Sequence, residues 1–328
     1  MFRRFLLLAV FAVVCVVATL MVTSADEPPT ADAQASLEGR PSGPECGTEV
    51  SAEEWICTFA DDFDGKELDR SRWAVMETAR TGFSHAYECY VDEPETVSVG
   101  DGLLSLTAHK RPEGNLCGAY PTPYVSGMVH TQGLFSQTYG RFEARIKFPE
   151  GSGLHGAWWM WPQDMAYGRQ SGEIDIAEHW GMFPNIVSPY AHIIGPQGEE
   201  RGKGAYCLVA DPEGSFHTYA VEWTPPGRME FLYDGETCMT FENWNPGEPL
   251  AYPQPFDQPF FMILTMALQF GAVDDNTPFP ATMNVDYVRA WAPAPPPEDS
   301  APPPPPGPST DEPTNPDPVE PQPTEPAS

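Results

Sequence analysis

Between Cys46 and Pro293, apolar and polar residues alternate in short runs, and a sustained 3.6-residue helical spacing is almost absent. The stretches Leu103–Ala108, Tyr139–Phe148 and Phe216–Trp223 each alternate or carry aromatics over a strand's length. Met229–Tyr233 runs straight into Asp234-Gly235, a pair suited to the left-handed corners of a two-residue hairpin. Phe260–Leu268 is nearly continuously apolar, the pattern of a strand buried on both faces. Asn284–Trp291 alternates again and ends the patterned region. About a dozen strands with short Gly-, Pro-, Asp- and Asn-rich connections predict an all-β sandwich or jelly roll. The chain has no internal repeat and no P-loop, GxGxxG or GxSxG motif.

The ends read differently. Arg3 and Arg4 precede a long uncharged, apolar run from Phe5 to Val22, followed by Thr23, Ser24 and Ala25. That order is a charged start, an apolar centre and a small-residue cleavage site, so residues 1–25 are expected to be an export signal cut after Ala25. An uncleaved signal anchor is the alternative, and both place the remaining chain outside the cytoplasm. Residues 26–44 are polar and proline-bearing and are expected to form a flexible lead. The domain proper is expected over 45–293. Residues 294–328 are rich in proline and acid without a basic residue, which predicts a disordered, extended tail.

Composition narrows the partners. The 17 Lys+Arg against 47 Asp+Glu give a formal charge of −30, which repels phosphate backbones and anionic lipid heads. Nucleic acid is therefore excluded as a partner, as is membrane beyond the signal segment, and a monomer is expected. Setting aside Cys15 in the apolar run, six cysteines remain: Cys46, Cys57, Cys89, Cys117, Cys207 and Cys238. In an exported chain they read as disulfides, and the sequence-near set Cys46–Cys57, Cys89–Cys117 and Cys207–Cys238 closes short loops. Their spacing does not suit zinc.

Candidate chemistry concentrates in Ser171–Trp180, where Glu173, Asp175 and Glu178 fall within six residues. On a strand Glu173 and Asp175 share a face, with Ile174 and Ile176 on the other. Glu178 has the wrong parity, and one extra residue, a β-bulge at Ile176 or Ala177, would bring it into line. Three neighbouring carboxyls resist ionising together, which raises at least one proton affinity and suits an acid catalyst. Just upstream, Trp159 and Trp161 share one strand face, and Trp158 and Met160 share the other. Flat aromatic faces of this kind stack against the C–H faces of sugar rings.

These stretches resemble glycoside hydrolase family 16, and within it the actinobacterial-type endo-β-1,3-glucanases or laminarinases. The resemblance is carried by Phe59–Gly65, Ser126–Met128, Tyr139–Arg145, Ala157–Met160, Gly172–Glu178, Phe216–Trp223, Pro255–Phe260 and Pro280–Arg289. It implies a concanavalin A-like β-jelly roll whose concave sheet forms the substrate cleft. It also implies a secreted, retaining endo-glycosidase acting on β-1,3-glucan, with no cofactor required for catalysis. The family's E-x-D-x-x-E signature then makes Glu173 the nucleophile, Glu178 the general acid/base and Asp175 the residue that tunes Glu173. A retaining enzyme brings its two carboxyls to ~5–5.5 Å, whereas four steps of flat strand span ~13 Å, so the sheet must curve. Trp159, Trp161, Trp180 and His192 are the implied sugar contacts. Asp286, on the last strand, is the implied ligand of a structural Ca2+ on the convex side.

The chain also departs from its relatives. Ala86 and Tyr87 stand where asparagines are common, Thr265 replaces an asparagine near the cleft and Phe270 replaces a glycine. Those departures bear on subsite preference. A galactan such as agar, or transfer to a sugar acceptor, are the alternative enzymatic readings. A non-catalytic glucan-binding module would be expected to have lost a glutamate, and all three acids are present.

Overall fold

Alternation along the chain becomes two stacked sheets in a computed structural model that describes Cys46, residues 55–117 and residues 120–294. The expected signal over 1–25, the lead over 26–44 and the tail beyond Ala294 lie outside the described residues. The first strands are β1 (Trp55–Asp61), β2 (Ala74–Val75), β3 (Cys89–Tyr90), β4 (Val97–Gly100), β5 (Leu103–Cys117) and β6 (Tyr120–Ser126). Then come β7 (Met128–His130), β8 (Gly140–Lys147), β9 (Leu154–Pro162), β10 (Glu173–Trp180), β11 (Ile186–His192) and β12 (Lys203–Gly204). The last six are β13 (Cys207–Leu208), β14 (His217–Thr224), β15 (Arg228–Tyr233), β16 (Glu236–Phe241), β17 (Phe260–Leu268) and β18 (Ala281–Pro293). Among the described residues the single α-helix is one turn, Thr78–Thr81.

A ten-stranded sheet runs β16-β15-β14-β8-β18-β5-β6-β3, with β1 on β18 and β4 on β5. An eight-stranded sheet runs β12-β11-β10-β9-β17-β7-β2, with β13 on β11. The expected jelly-roll sandwich is the observed architecture. The strands beyond the expected dozen include pieces of two or three residues, such as β2, β3, β12 and β13, too short to show a period in sequence. Asp234 (φ 50°) and Gly235 (φ 81°) form the expected hairpin corner between β15 and β16.

The core lies between the sheets. Trp158 and Met160 of β9, Ile174 and Ile176 of β10 and Leu264 of β17 belong to the same buried cluster as residues of the ten-stranded sheet. Those include Phe142 and Ile146 of β8, Val221 and Trp223 of β14 and Phe231 of β15. Fully burying such a side chain contributes about 1.5–3 kcal/mol each. Every residue of β17 is buried, as its nearly continuous apolar run requires. Three disulfides, Cys46–Cys57, Cys89–Cys117 and Cys207–Cys238, match the sequence-near pairing.

Candidate active site

Strand parity puts the acids on the outer face of the eight-stranded sheet, and one irregularity brings in the third. Against β9, Asp175 pairs with Trp159 and Ala177 with Trp158, so Ile176 is the extra residue of a bulge. Ile176 and Ala177 are both fully buried in the intersheet core, and Glu178 then returns to the face of Glu173 and Asp175. A bulged residue leaves the ladder, and its carbonyl needs another partner. Tyr233 of the opposite sheet supplies it, its hydroxyl donating to the Ile176 carbonyl at 3.0 Å. The chain enters β10 through Gly172 at φ 78°, and a Cβ there would lie 2.8 Å from the Phe256 ring. Only glycine meets both conditions without strain.

Register fills in the surroundings. Glu173 lies opposite His192, and Asp175 lies between Tyr190 on β11 and Trp159 on β9. Glu178 lies between Ser188 and Ala157, while Trp180 pairs with His155. All four expected sugar contacts, Trp159, Trp161, Trp180 and His192, therefore stand on strands at the acid row. Trp159 is nearly buried, and its Nε1–H donates to Thr265 Oγ1 at 2.9 Å, so it forms the floor of the site. Trp161 is half-buried and meets Trp159 edge-on, with ring centroids 5.9 Å apart. Trp180 stacks on His155 at 3.7 Å.

His192 does more than line a subsite. Its Nε2 lies 3.1 Å from Asp175 Oδ2 and its Nδ1 lies 2.8 Å from Glu200 Oε2. Burial opposes a charge on this ring, but the hydrogen bonds to Asp175 and Glu200 outweigh it and hold the imidazole well above its usual range. Glu173 is pushed well above the ordinary carboxyl range, by burial first and then by Asp175, with His192 acting in the opposite direction. Glu178 is raised to about 8 by burial and by Asp175, again eased by His192. These groups titrate as a cluster, and at neutral pH Glu178 keeps its proton.

Three side chains around the acids were not anticipated from sequence. His155 donates through Nδ1 to the His179 carbonyl at 3.1 Å, which turns an unprotonated Nε2 toward Glu178 Oε1 at 3.4 Å. Burial holds His155 well below the usual histidine range, so it stays neutral beside the acid. Glu88 is buried, and its carboxylate accepts the backbone N–H groups of His85, Ala86, Tyr87 and Leu268. It thereby staples the 84–88 loop to the end of β17, where Tyr87 and Phe270 stack at 5.4 Å. Glu200 is the third. Their signal in the sequence is faint, since a lone histidine or glutamate announces no partner.

Asp286, the expected Ca2+ ligand, has an arginine for its partner. Ca2+ takes six to eight oxygen ligands. Here the Asp286 carboxylate pairs with Arg145, in a shallow polar depression that also contains Arg289, itself paired with Asp62. Among the described residues no group of three or more His, Cys, Asp or Glu side chains converges to hold a metal ion. Asp64 and Asp101 also line the depression, so four carboxylates stand there against two guanidiniums. This depression lies on the ten-stranded sheet, away from the acid row.

Residues 83–289 match the family described as glycosyl hydrolases family 16. A beta-glucanase of Rhodothermus marinus is 34% identical over 259 residues, covering 73% of this chain and 86% of that protein. A glucan endo-1,3-beta-glucosidase A1 of Niallia circulans is 33% identical over 266 residues, 71% of this chain and 37% of the longer relative. The X-ray structure of the Rhodothermus marinus laminarinase superposes with a TM-score of 0.65 at 32% identity, covering 74% of this chain and 98% of that one. With this family match over most of the domain and relatives of this similarity along most of the chain, the chain belongs to glycosyl hydrolase family 16.

Proposed function

We propose that the protein is an endo-acting, retaining glycosidase that hydrolyses β-1,3-glucan. The observation that carries the mechanism is the bulge at Ile176, which sets Glu173, Asp175 and Glu178 on one face. In the first step the Glu173 carboxylate attacks the anomeric carbon while the Glu178 O–H passes its proton to the departing glycosidic oxygen. Glu178, now a carboxylate, draws a proton from water, whose oxygen attacks the same carbon and releases Glu173. Configuration is inverted twice and so retained. Trp161 and Trp180 are the sugar platforms, and Trp159 is the floor beneath the reacting ring.

The β-1,3 preference is supported by the names of relatives similar along most of this chain, a beta-glucanase and an endo-1,3-beta-glucosidase. The charged, apolar and small-residue order at the N-terminus supports export of the enzyme, which signal cleavage in an expressing bacterium would test. The activity test is oligosaccharide release from laminarin, mixed-linkage glucan and agarose by the full chain and its Glu173→Gln variant. Release from laminarin that the variant loses supports the reading. Release from agarose alone keeps the mechanism and overturns the substrate. A folded protein that binds laminarin and cleaves none of the three is a binding module.

A further inference from the structure

Glu200 is held more tightly than a partly exposed surface glutamate needs to be. Its Oε1 accepts the backbone N–H groups of Ile193 at 3.1 Å and Gly202 at 2.7 Å, and its Oε2 faces His192 Nδ1 at 2.8 Å. The turn between β11 and β12 folds back around it, with Arg201 N–H donating to the Ile193 carbonyl and Ile194 bridging to Glu200. The imidazole of His192 stacks on Tyr190 at 3.9 Å, and its other nitrogen points at Asp175. A ring clamped between two carboxylates satisfies both only by carrying a proton on each nitrogen, which makes it a cation.

We propose that Glu200 is a positioning residue of the active site, one that fixes His192 as an imidazolium and so sets the charge facing the Glu173–Asp175 pair. This rests on the reading of Glu173 as nucleophile. The charged groups around His192 are few. Strand β10 presents Asp175 and Glu173, with Glu178 also within electrostatic reach of His192. Strand β11 presents Tyr190, and the following turn presents Glu200. The nearby cations are engaged elsewhere, Arg201 with Glu199 and Lys203 with the Thr240 carbonyl. Both glutamates of the mechanism are eased toward ionisation by His192, so losing its charge makes the nucleophile harder to ionise. Glu200 itself is held below the ordinary carboxyl range: burial opposes this, but the hydrogen bond and charge of His192 prevail. The two groups therefore support each other's charged form.

The test is an NMR titration of the His192 imidazole nitrogens in the full chain without substrate, assigned by loss of the signals in His192→Gln. Wild type should remain an imidazolium through neutral pH. Glu200→Gln should lower the midpoint by about one pH unit or more, and Glu200→Asp should recover part of that shift. On laminarin, Glu200→Gln should keep near wild-type kcat at pH 5 and lose about tenfold by pH 8, with KM changed less than about twofold. An unmoved His192 midpoint in a folded Glu200→Gln protein overturns the proposal. So does an equal loss of kcat at every pH. A wild-type protein inactive on laminarin would refute the substrate reading, and the titration would still decide the Glu200–His192 coupling.

Discussion

The acid/base glutamate should burden the fold that carries it, and the burden should follow pH in a defined direction. Glu178 moves from an ordinary 4.5 to about 8 in the native site, through burial and the neighbouring Asp175. A carboxyl raised in this way contributes fully to stability below pH 4.5, and that contribution is lost as pH rises from there through 8. At pH 7 the unfolded chain has released this proton and the native chain still holds it. Each pH unit between is worth ~1.36 kcal/mol, so the native state gives up at most about 3 kcal/mol there. Glutamine has the shape of the protonated acid and no proton to release. Glu178→Gln should therefore equal wild type in stability near pH 4.5 and exceed it by about 2–3 kcal/mol at pH 7 to 8. For a domain of this size that is roughly 5–10 °C in Tm.

The assay is a thermal unfolding series from pH 4.5 to 8.5 on both proteins, paired with laminarin turnover. Turnover should fall by about 10²–10⁴ as the general acid is removed. A Tm gap that stays constant with pH, or a variant less stable than wild type at pH 8, would refute the assignment of a raised proton affinity to Glu178.

Other substitutions probe the scaffold around the acids. Tyr233→Phe removes the hydroxyl donated to the Ile176 carbonyl and leaves that group unpaired in the core. Chemical denaturation should show a loss of about 1–3 kcal/mol, with a fall in kcat as the bulge loosens. Breaking Cys89–Cys117 by a double serine substitution opens a loop with a sequence separation of 28, and should cost about 3–4 kcal/mol by the same measurement. Trp161→Ala should raise KM for laminarin about three- to tenfold and leave kcat within about twofold, the pattern of a lost stacking surface.

The readability of this site follows from the range over which each of its parts is decided. Glu173 and Asp175 share a face because a strand repeats every two residues, a purely local rule that needs no partner. Glu178 breaks that rule, and its wrong parity is itself a local clue that a residue has been inserted; Ile176 is that residue. The same rule separated Trp158 and Met160, which the fold buries between the sheets, from Trp159 and Trp161 on the other face. What holds the bulge is not local. Tyr233 comes from the other sheet, 57 residues away, and no period links it to Ile176. The surroundings of His192 and Asp286 are equally non-local: a titratable side chain takes its character from the charges the fold sets beside it. Glu200 lies against His192 from the turn after β11, and Arg145 lies against Asp286 from the neighbouring strand β8. Position along the chain thus specifies which acids can meet, and only the packing of the turn after β11 and of the sheet beneath specifies their protonation. On the proposed coupling, pH dependence in such a site can therefore be tuned at Glu200 while the Glu-x-Asp-x-x-Glu row is left untouched.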